Sequence, residues 1–93
     1  MLGDKIKELR QARNMSQVEL GKKIGVSKQS VSNWENENIQ PSIDMLIRIA
    51  KVFSVTCDYL LCLDSRKFIE VKSLTTTEIA HIQQIIDDLT ASK

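Results

Sequence analysis

The stretch from Gln17 to Glu35 constrains this chain more than any other. It holds two short helical patterns that meet at Gly25-Val26-Ser27. Ser16 stands where it can cap the first pattern. Glu19, three residues on, completes a capping box, and Met15 and Leu20 take the staple positions. Ser27 is the matching cap of the second pattern, with Val26 and Val31 as its staple pair. Gly25 falls where the first helix must end and the chain must turn, a position that favours positive φ. Leu20, Ile24, Val26, Val31 and Trp34 are the apolar members, and two helices crossing steeply bring such a set into one core. Lys28, Gln29, Ser32, Asn33 and Asn36 are left on the outward side of the second helix. Each carries hydrogen-bonding groups of the kind that read base edges in a major groove.

These residues resemble the helix-turn-helix of the Cro and phage-repressor (xenobiotic-response-element type) transcription regulators. Gln17 opens the first helix, Gly21 is a small residue inside it, Gly25 marks the turn, and Val26-Ser27, Val31 and Trp34-Glu35 follow in register. The likeness continues through Pro41, Leu46, Ile49-Ala50-Lys51, Val55, Asp58 and Leu60-Leu61, so it spans about residues 3 to 62. It implies an all-α fold: a five-helix lambda-repressor-like DNA-binding domain with a helix-turn-helix, followed here by a C-terminal amphipathic helix. Two positions depart from the family pattern. Gly21 replaces the usual Ala, at a helix-propensity cost of about 1 kcal/mol. Glu37 stands where many members have Gly, so the left-handed turn there falls to Asn36 or Asn38.

Length and composition agree with one small helical body. The chain has 93 residues, 42% hydrophobic and 27% charged, which suits a modest packed core and argues against global disorder. It has four aromatic residues and one Pro, and turn-rich β signals are scarce. Net charge is only +1, but residues 1–53 carry nine Lys or Arg against six Asp or Glu. Residues 54–93 carry four against six. The asymmetry favours a nucleic-acid face in the first half and a different task in the second. No run of 18 apolar residues provides a membrane span, and the N-terminus lacks the apolar core of a signal peptide. Cys57 and Cys62 are poorly separated for a disulfide and read as reduced small hydrophobes of a cytoplasmic protein. With His81 the only histidine, the ligands for a metal site are too few, and no cofactor is expected.

Taken in order, the chain divides into a DNA-binding domain (residues 1–63), a connector (64–73) and a C-terminal helix (74–93). Helix one is expected from about Gly3 to Ala12, with Ile6 and Leu9 as its stripe and Asp4 as its cap or in its first turn. Its Lys5, Lys7, Arg10 and Arg13 suit a solvated basic face. The family resemblance implies that Arg10 pairs with Glu35, bracing the reading helix, and also touches a phosphate. Trp34, with apolar neighbours at helical spacing, reads as a core anchor rather than a stacking residue. Pro41 biases Gln40 away from helix, and Ser42 caps a fourth helix. Its wide apolar face (Ile43, Leu46, Ile47, Ile49, Ala50, Phe53) marks it as the central buried helix. Thr56 caps a short fifth helix whose apolar excess suits either core packing or dimer contact. Residues 67–72 suit either an extended linker or a short strand.

The last helix is announced by a second capping box, Thr75 with Glu78. Its stripe Ile79, Ile82, Ile86 and Leu89, with Ile85 beside it, cannot stand alone in water. It either covers its own domain or forms a self-associating surface, and the second reading makes these four residues the dimer contact. His81 reads as an exposed polar residue of that helix.

The function expected is that of a DNA-binding transcription regulator, a repressor in the family's usual manner, acting as a homodimer on a palindromic double-stranded operator. Lys28, Gln29, Ser32 and Asn33 are the base-reading candidates, with Ser30 a weaker one. Arg10, Gln17, Asn36 and Asn38 are the phosphate candidates, Gln17 because a helix N-terminus supports it. A second expectation is an antitoxin or partner-controlled module that also binds DNA, for which the C-terminal helix would receive a protein. An enzyme is disfavoured: there is no acid-base pair around a plausible pocket, no phosphate-cradling Gly loop and no metal-ligand cluster.

Overall fold

In the computed structural model, which describes residues 1–93, all regular structure is helical and there is no strand. The order is α1 (Leu2–Ala12), α2 (Gln17–Ile24), α3 (Lys28–Glu35), α4 (Ile43–Phe53), α5 (Cys57–Leu60) and α6 (Thr76–Ala91). Side-chain caps set most of the starts. Ser16, Ser27, Ser42 and Thr56 each accept a bond from the backbone N–H three residues on. Thr75 does the same, and the boxes Ser16–Glu19 and Thr75–Glu78 are both closed. Gly25 ends α2 in the left-handed region at φ 83, as the turn requires.

Helix α1 starts differently from expectation. Its N-cap is Met1, which supplies no side-chain bond, and Asp4 lies in the first turn without capping. The cap comes from a distant residue. Glu37 Oε1 accepts the N–H of Gly3 at 2.6 Å. One free N–H of the helix start is thereby satisfied, and a carboxylate sits at the positive end of the helix dipole. Glu37 itself adopts the left-handed turn, at φ 59, so neither Asn36 nor Asn38 takes it. The start of α1 lies so close to the end of α3 that a Cβ on Gly3 would fall 2.6 Å from the carbonyl oxygens of both Trp34 and Glu35. A Cβ on Gly21 would likewise fall 2.6 Å from the Val26 carbonyl oxygen. The tight turn between α2 and α3 therefore gives Gly21 a steric reason beyond helix propensity.

The core is built by α1 to α5. Ile6, Leu20, Val31, Ile49 and Leu60 are fully buried, joined by Ile24, Phe53 and Trp34. Trp34 is thus a core anchor. Helix α4 is only partly central. Ile49, Ala50 and Phe53 are buried, but Ile43 is 78% exposed and Ile47 41%. The other helices cover only the sector holding Ile49 and Phe53, so the rest of the wide apolar face meets water. The connector forms no strand. There Arg66 pairs with Asp64 through two guanidinium bonds of 3.0 and 3.2 Å. This holds the Asp64 carboxyl below the ordinary carboxylate range. Helix α6 buries no residue, and Ile79, Ile85, Ile86 and Leu89 are exposed. It therefore adds no buried residue to the core, and its best-covered apolar side chain, Ile82, is half-buried.

The reading helix is held at its end by ion pairing. Arg10 of α1 donates from Nε to Glu35 Oε2 at 2.7 Å and from Nη2 to Glu35 Oε1 at 3.0 Å. Its Nη1 donates to the Met15 carbonyl at 2.8 Å. Gln17 Nε2 adds a third bond to the Glu35 carboxylate, at 3.2 Å to Oε1. The side chains are 11% and 3% exposed, so neither charge is well hydrated. The bonds to Glu35 hold the Arg10 pKa above its ordinary value. Removing one partner leaves the other charge stranded. Glu35→Ala is expected to lower the unfolding free energy by about 3–5 kcal/mol, the usual cost of breaking a buried pair. Urea denaturation of both proteins measures this, and a loss of under about 1 kcal/mol, typical of an exposed pair, would show that the brace is not needed.

Candidate nucleic-acid interface

Helix α3 has two unlike faces because its apolar residues recur at helical spacing. Val31, Trp34 and Glu35 point into the body. Lys28 and Gln29 are exposed on the other side, with Ser32 and Asn33 half-buried beside them. The four base-reading candidates therefore lie on one outward strip, and Asn36 and Asn38 extend it as exposed residues beyond the helix end. Ser30, half-buried, is drawn to the cap, its hydroxyl 3.2 Å from that of Ser27.

The polar side chains of the strip are partly ordered by one another. Gln29 Nε2 donates to Asn33 Oδ1 at 3.1 Å, and Asn36 Nδ2 donates to Ser32 Oγ at 3.3 Å. These are pairs four residues apart, the spacing that puts side chains side by side on a helix. The first bond leaves the Gln29 carbonyl oxygen and the Asn33 amide N–H groups without an internal partner, an acceptor beside a donor. Adenine offers the complementary donor and acceptor in the major groove. Lys28 makes no hydrogen bond or ion pair within the chain.

The phosphate candidates separate into two groups. Gln17 is the first residue of α2 and half-buried, with its amide tied to Glu35. That bond joins the start of α2 to the end of α3. Arg10 stands apart, drawn into the body of the domain. Its pairing with Glu35 is present, but the guanidinium is engaged by Glu35 and Met15 and only 11% of the side chain is exposed. Little of it is left for a phosphate. In the following loop Gln40 Nε2 donates to Glu37 Oε2 at 3.1 Å, which steadies the carboxylate that caps α1.

Sequence reasoning missed three contacts that set the frame. Glu37 reaches back to Gly3 across 34 residues. Arg48 of α4 donates to the Ile24 carbonyl at the end of α2, at 3.0 Å. Arg13 donates to the Val52 and Phe53 carbonyls at the end of α4, at 3.0 and 3.2 Å. The last two put cations on the negative ends of helices. No local pattern signals them, because each partner lies in a different helix. No group of His, Cys, Asp and Glu residues comes together to hold a metal ion. No helix is long and apolar enough to cross a membrane.

Comparison with known proteins agrees with this geometry. The helix-turn-helix family model matches residues 6–60. The chain is 32% identical over 88 residues to the transcriptional regulator ImmR of Bacillus subtilis, covering 94% of this chain and 69% of that protein. It is 33% identical to repressor protein C2 of Salmonella phage P22 over 66% of this chain and 28% of the repressor. It also spans about half (54%) of the B. subtilis regulator YobD. Among solved structures, the P22 c2 repressor bound to a synthetic operator superposes with a TM-score of 0.66 at 33% identity, covering 69% of this chain and 97% of that one. The complex of SinR with SinI matches with a TM-score of 0.64 at 28% identity, covering 99% of this chain and 81% of that one. This family is one of transcription regulators and not of enzymes. The chain belongs to the Cro and phage-repressor (xenobiotic-response-element type) family of DNA-binding helix-turn-helix transcription regulators.

Proposed function

We propose that this protein represses transcription as a homodimer that reads a palindromic operator. The observation that carries this reading is the outward strip of α3, where Lys28, Gln29, Ser32 and Asn33 stand together on a helix braced at its far end. Gln29 and Asn33 act as a unit suited to adenine, and Lys28 suits the acceptors of guanine. Gln17, Asn36 and Asn38 hold the flanking phosphates, aided by the free N–H groups at the start of α2. Lys28 is the one cation on the strip, so hydrogen bonding outweighs phosphate neutralisation, and affinity falls only shallowly with salt. Two protomers set their α3 helices about one DNA turn, roughly 34 Å, apart. Covering a promoter in this way blocks transcription. The P22 c2 repressor, solved on an operator, supports the reading by its similarity.

The dimer is built through α6, of whose stripe Ile79, Ile86 and Leu89 are exposed and Ile82 is half-buried. A second reading rests on the same surface. A protein partner docks on α6 and controls DNA binding, as the likeness to the SinR–SinI complex suggests.

Selection of random duplexes by the purified protein tests the main reading. A palindrome is expected among the bound sequences, whereas binding without any motif would overturn sequence-specific reading. On the selected site, Gln29→Ala is expected to cost about 1–3 kcal/mol, with far less change on random DNA. Equal losses on both would remove Gln29 from the reading set. Deleting residues 74–93 is expected to leave a folded monomer with weakened operator affinity. If the truncated chain still sediments as a dimer, the contact lies elsewhere.

A further inference from the structure

Two side-chain pairs stand on the outward strip of α3, and the second repeats the first three residues on. Gln29 with Asn33 is one, and Ser32 with Asn36 is the other. Asn36 is the C-cap of the helix and lies one turn beyond both Ser32 and Asn33. It is exposed, while Ser32 is half-buried beneath it.

The chemistry of the second pair is one-sided. An amide nitrogen only donates, and Asn36 Nδ2 donates to Ser32 Oγ at 3.3 Å. A hydroxyl carries one proton and two lone pairs. One lone pair of Ser32 is therefore engaged, while its proton meets no acceptor within the chain. A serine inside a helix often gives that proton to the carbonyl four residues back, here that of Lys28. No such bond forms, so the proton is left for the outside. A free serine is donor and acceptor alike, but Ser32 is held as a donor. Asn36 keeps its second amide proton and its carbonyl oxygen unengaged.

We propose that Asn36 is a positioning residue for base specificity: by donating to Ser32 Oγ it holds the Ser32 hydroxyl as a donor toward the base edge, so that Ser32 selects against cytosine. In the major groove guanine, adenine and thymine each present an acceptor, whereas cytosine presents only its N4 amino group. A hydroxyl free to turn accepts from that amino group. Beside Asn36, the cytosine amine competes with the amide for one oxygen and leaves the hydroxyl proton unpaired, which is costly in an interface closed to water. The second amide proton of Asn36 stays available for a phosphate, so one side chain serves the backbone contact and sets the polarity of the neighbouring base contact. This deepens the reading of α3 as the base-reading helix and rests on it.

The test is competitive selection of random duplexes by the full chain and its variants, with the preference among the four bases read at every position. Preferences within one competition do not depend on how much of a variant is folded. The wild type is expected to deplete cytosine at one position of each half-site. Ser32→Ala is expected to identify that position by relaxing the depletion about three- to tenfold, the scale of one neutral hydrogen bond. Asn36→Ala is expected to relax the same position comparably, and to add nothing there on top of Ser32→Ala. Asn36→Asp reverses the pair, because a carboxylate only accepts and Ser32 then gives it the proton and keeps only lone pairs. Cytosine or adenine, which present amino donors, is expected to be favoured at that position in this variant. Uniform weakening by Asn36→Ala, with every preference unchanged, would overturn the proposal and leave Asn36 a phosphate ligand only. A preference of Asn36→Asp equal to that of the wild type would also overturn it, since the amide oxygen would then already face Ser32. A motif untouched by Ser32→Ala would overturn it while leaving α3 as the reading helix, whereas a wild-type chain that selects no motif would remove the α3 reading itself.

Discussion

The arrangement of the DNA-binding face depends on the buried Arg10–Glu35 pair. Glu35 is the last residue of the reading helix, and Arg10 lies near the end of α1. The guanidinium fork fits both carboxylate oxygens and the Met15 carbonyl as well, so it ties α1, α3 and the loop before α2 at one point. Gln17 completes the junction from the start of α2. Desolvating two charges is costly, and a well-packed apolar pair of the same volume gives comparable stability. The ionic version adds direction. The fork admits one relative placement of the helices, which fixes how far the outward strip of α3 stands from the body.

The same principle governs the opposite end of α1. Glu37 closes the first turn of α1, while the backbone of Gly3 lies against the end of α3. The helix is therefore bound at both ends, once by a backbone N–H to the turn after α3 and once by a side chain to the last residue of α3. Arg48 and Arg13 play the complementary part at the ends of α2 and α4. Two of the nine basic residues of the first half, Arg13 and Arg48, thus satisfy helix termini. Polar, uncharged side chains dominate the outward strip of α3, where Lys28 is the one cation.

Two faces stay open after the core is formed, and both are apolar. The outer side of α4 and the stripe of α6 follow from one fact: the five-helix body closes around Ile6, Leu20, Val31, Ile49 and Leu60 without needing either. A sequence pattern counts apolar residues on a face but does not reveal how much of that face its neighbours can reach. This is why α4 was expected to be fully central and is central on one side only. Domain-level shape decides such exposure.

Local chemistry determined the helices. Caps, capping boxes and apolar spacing placed the starts of α2, α3, α4, α5 and α6, because each depends on residues within one turn of the other. The helix-turn-helix and the outward strip of α3 were legible for the same reason, since a helix of known phase has a known outside. The Arg10–Glu35 contact was legible only through family resemblance. What the tertiary structure alone decided are the long-range terms. Glu37 caps a helix that lies 34 residues away, Gly3 is needed where two backbones nearly touch, and the Arg10–Glu35 pair is buried. Each depends on the distance between groups far apart in the chain, and that distance exists only once the core has closed.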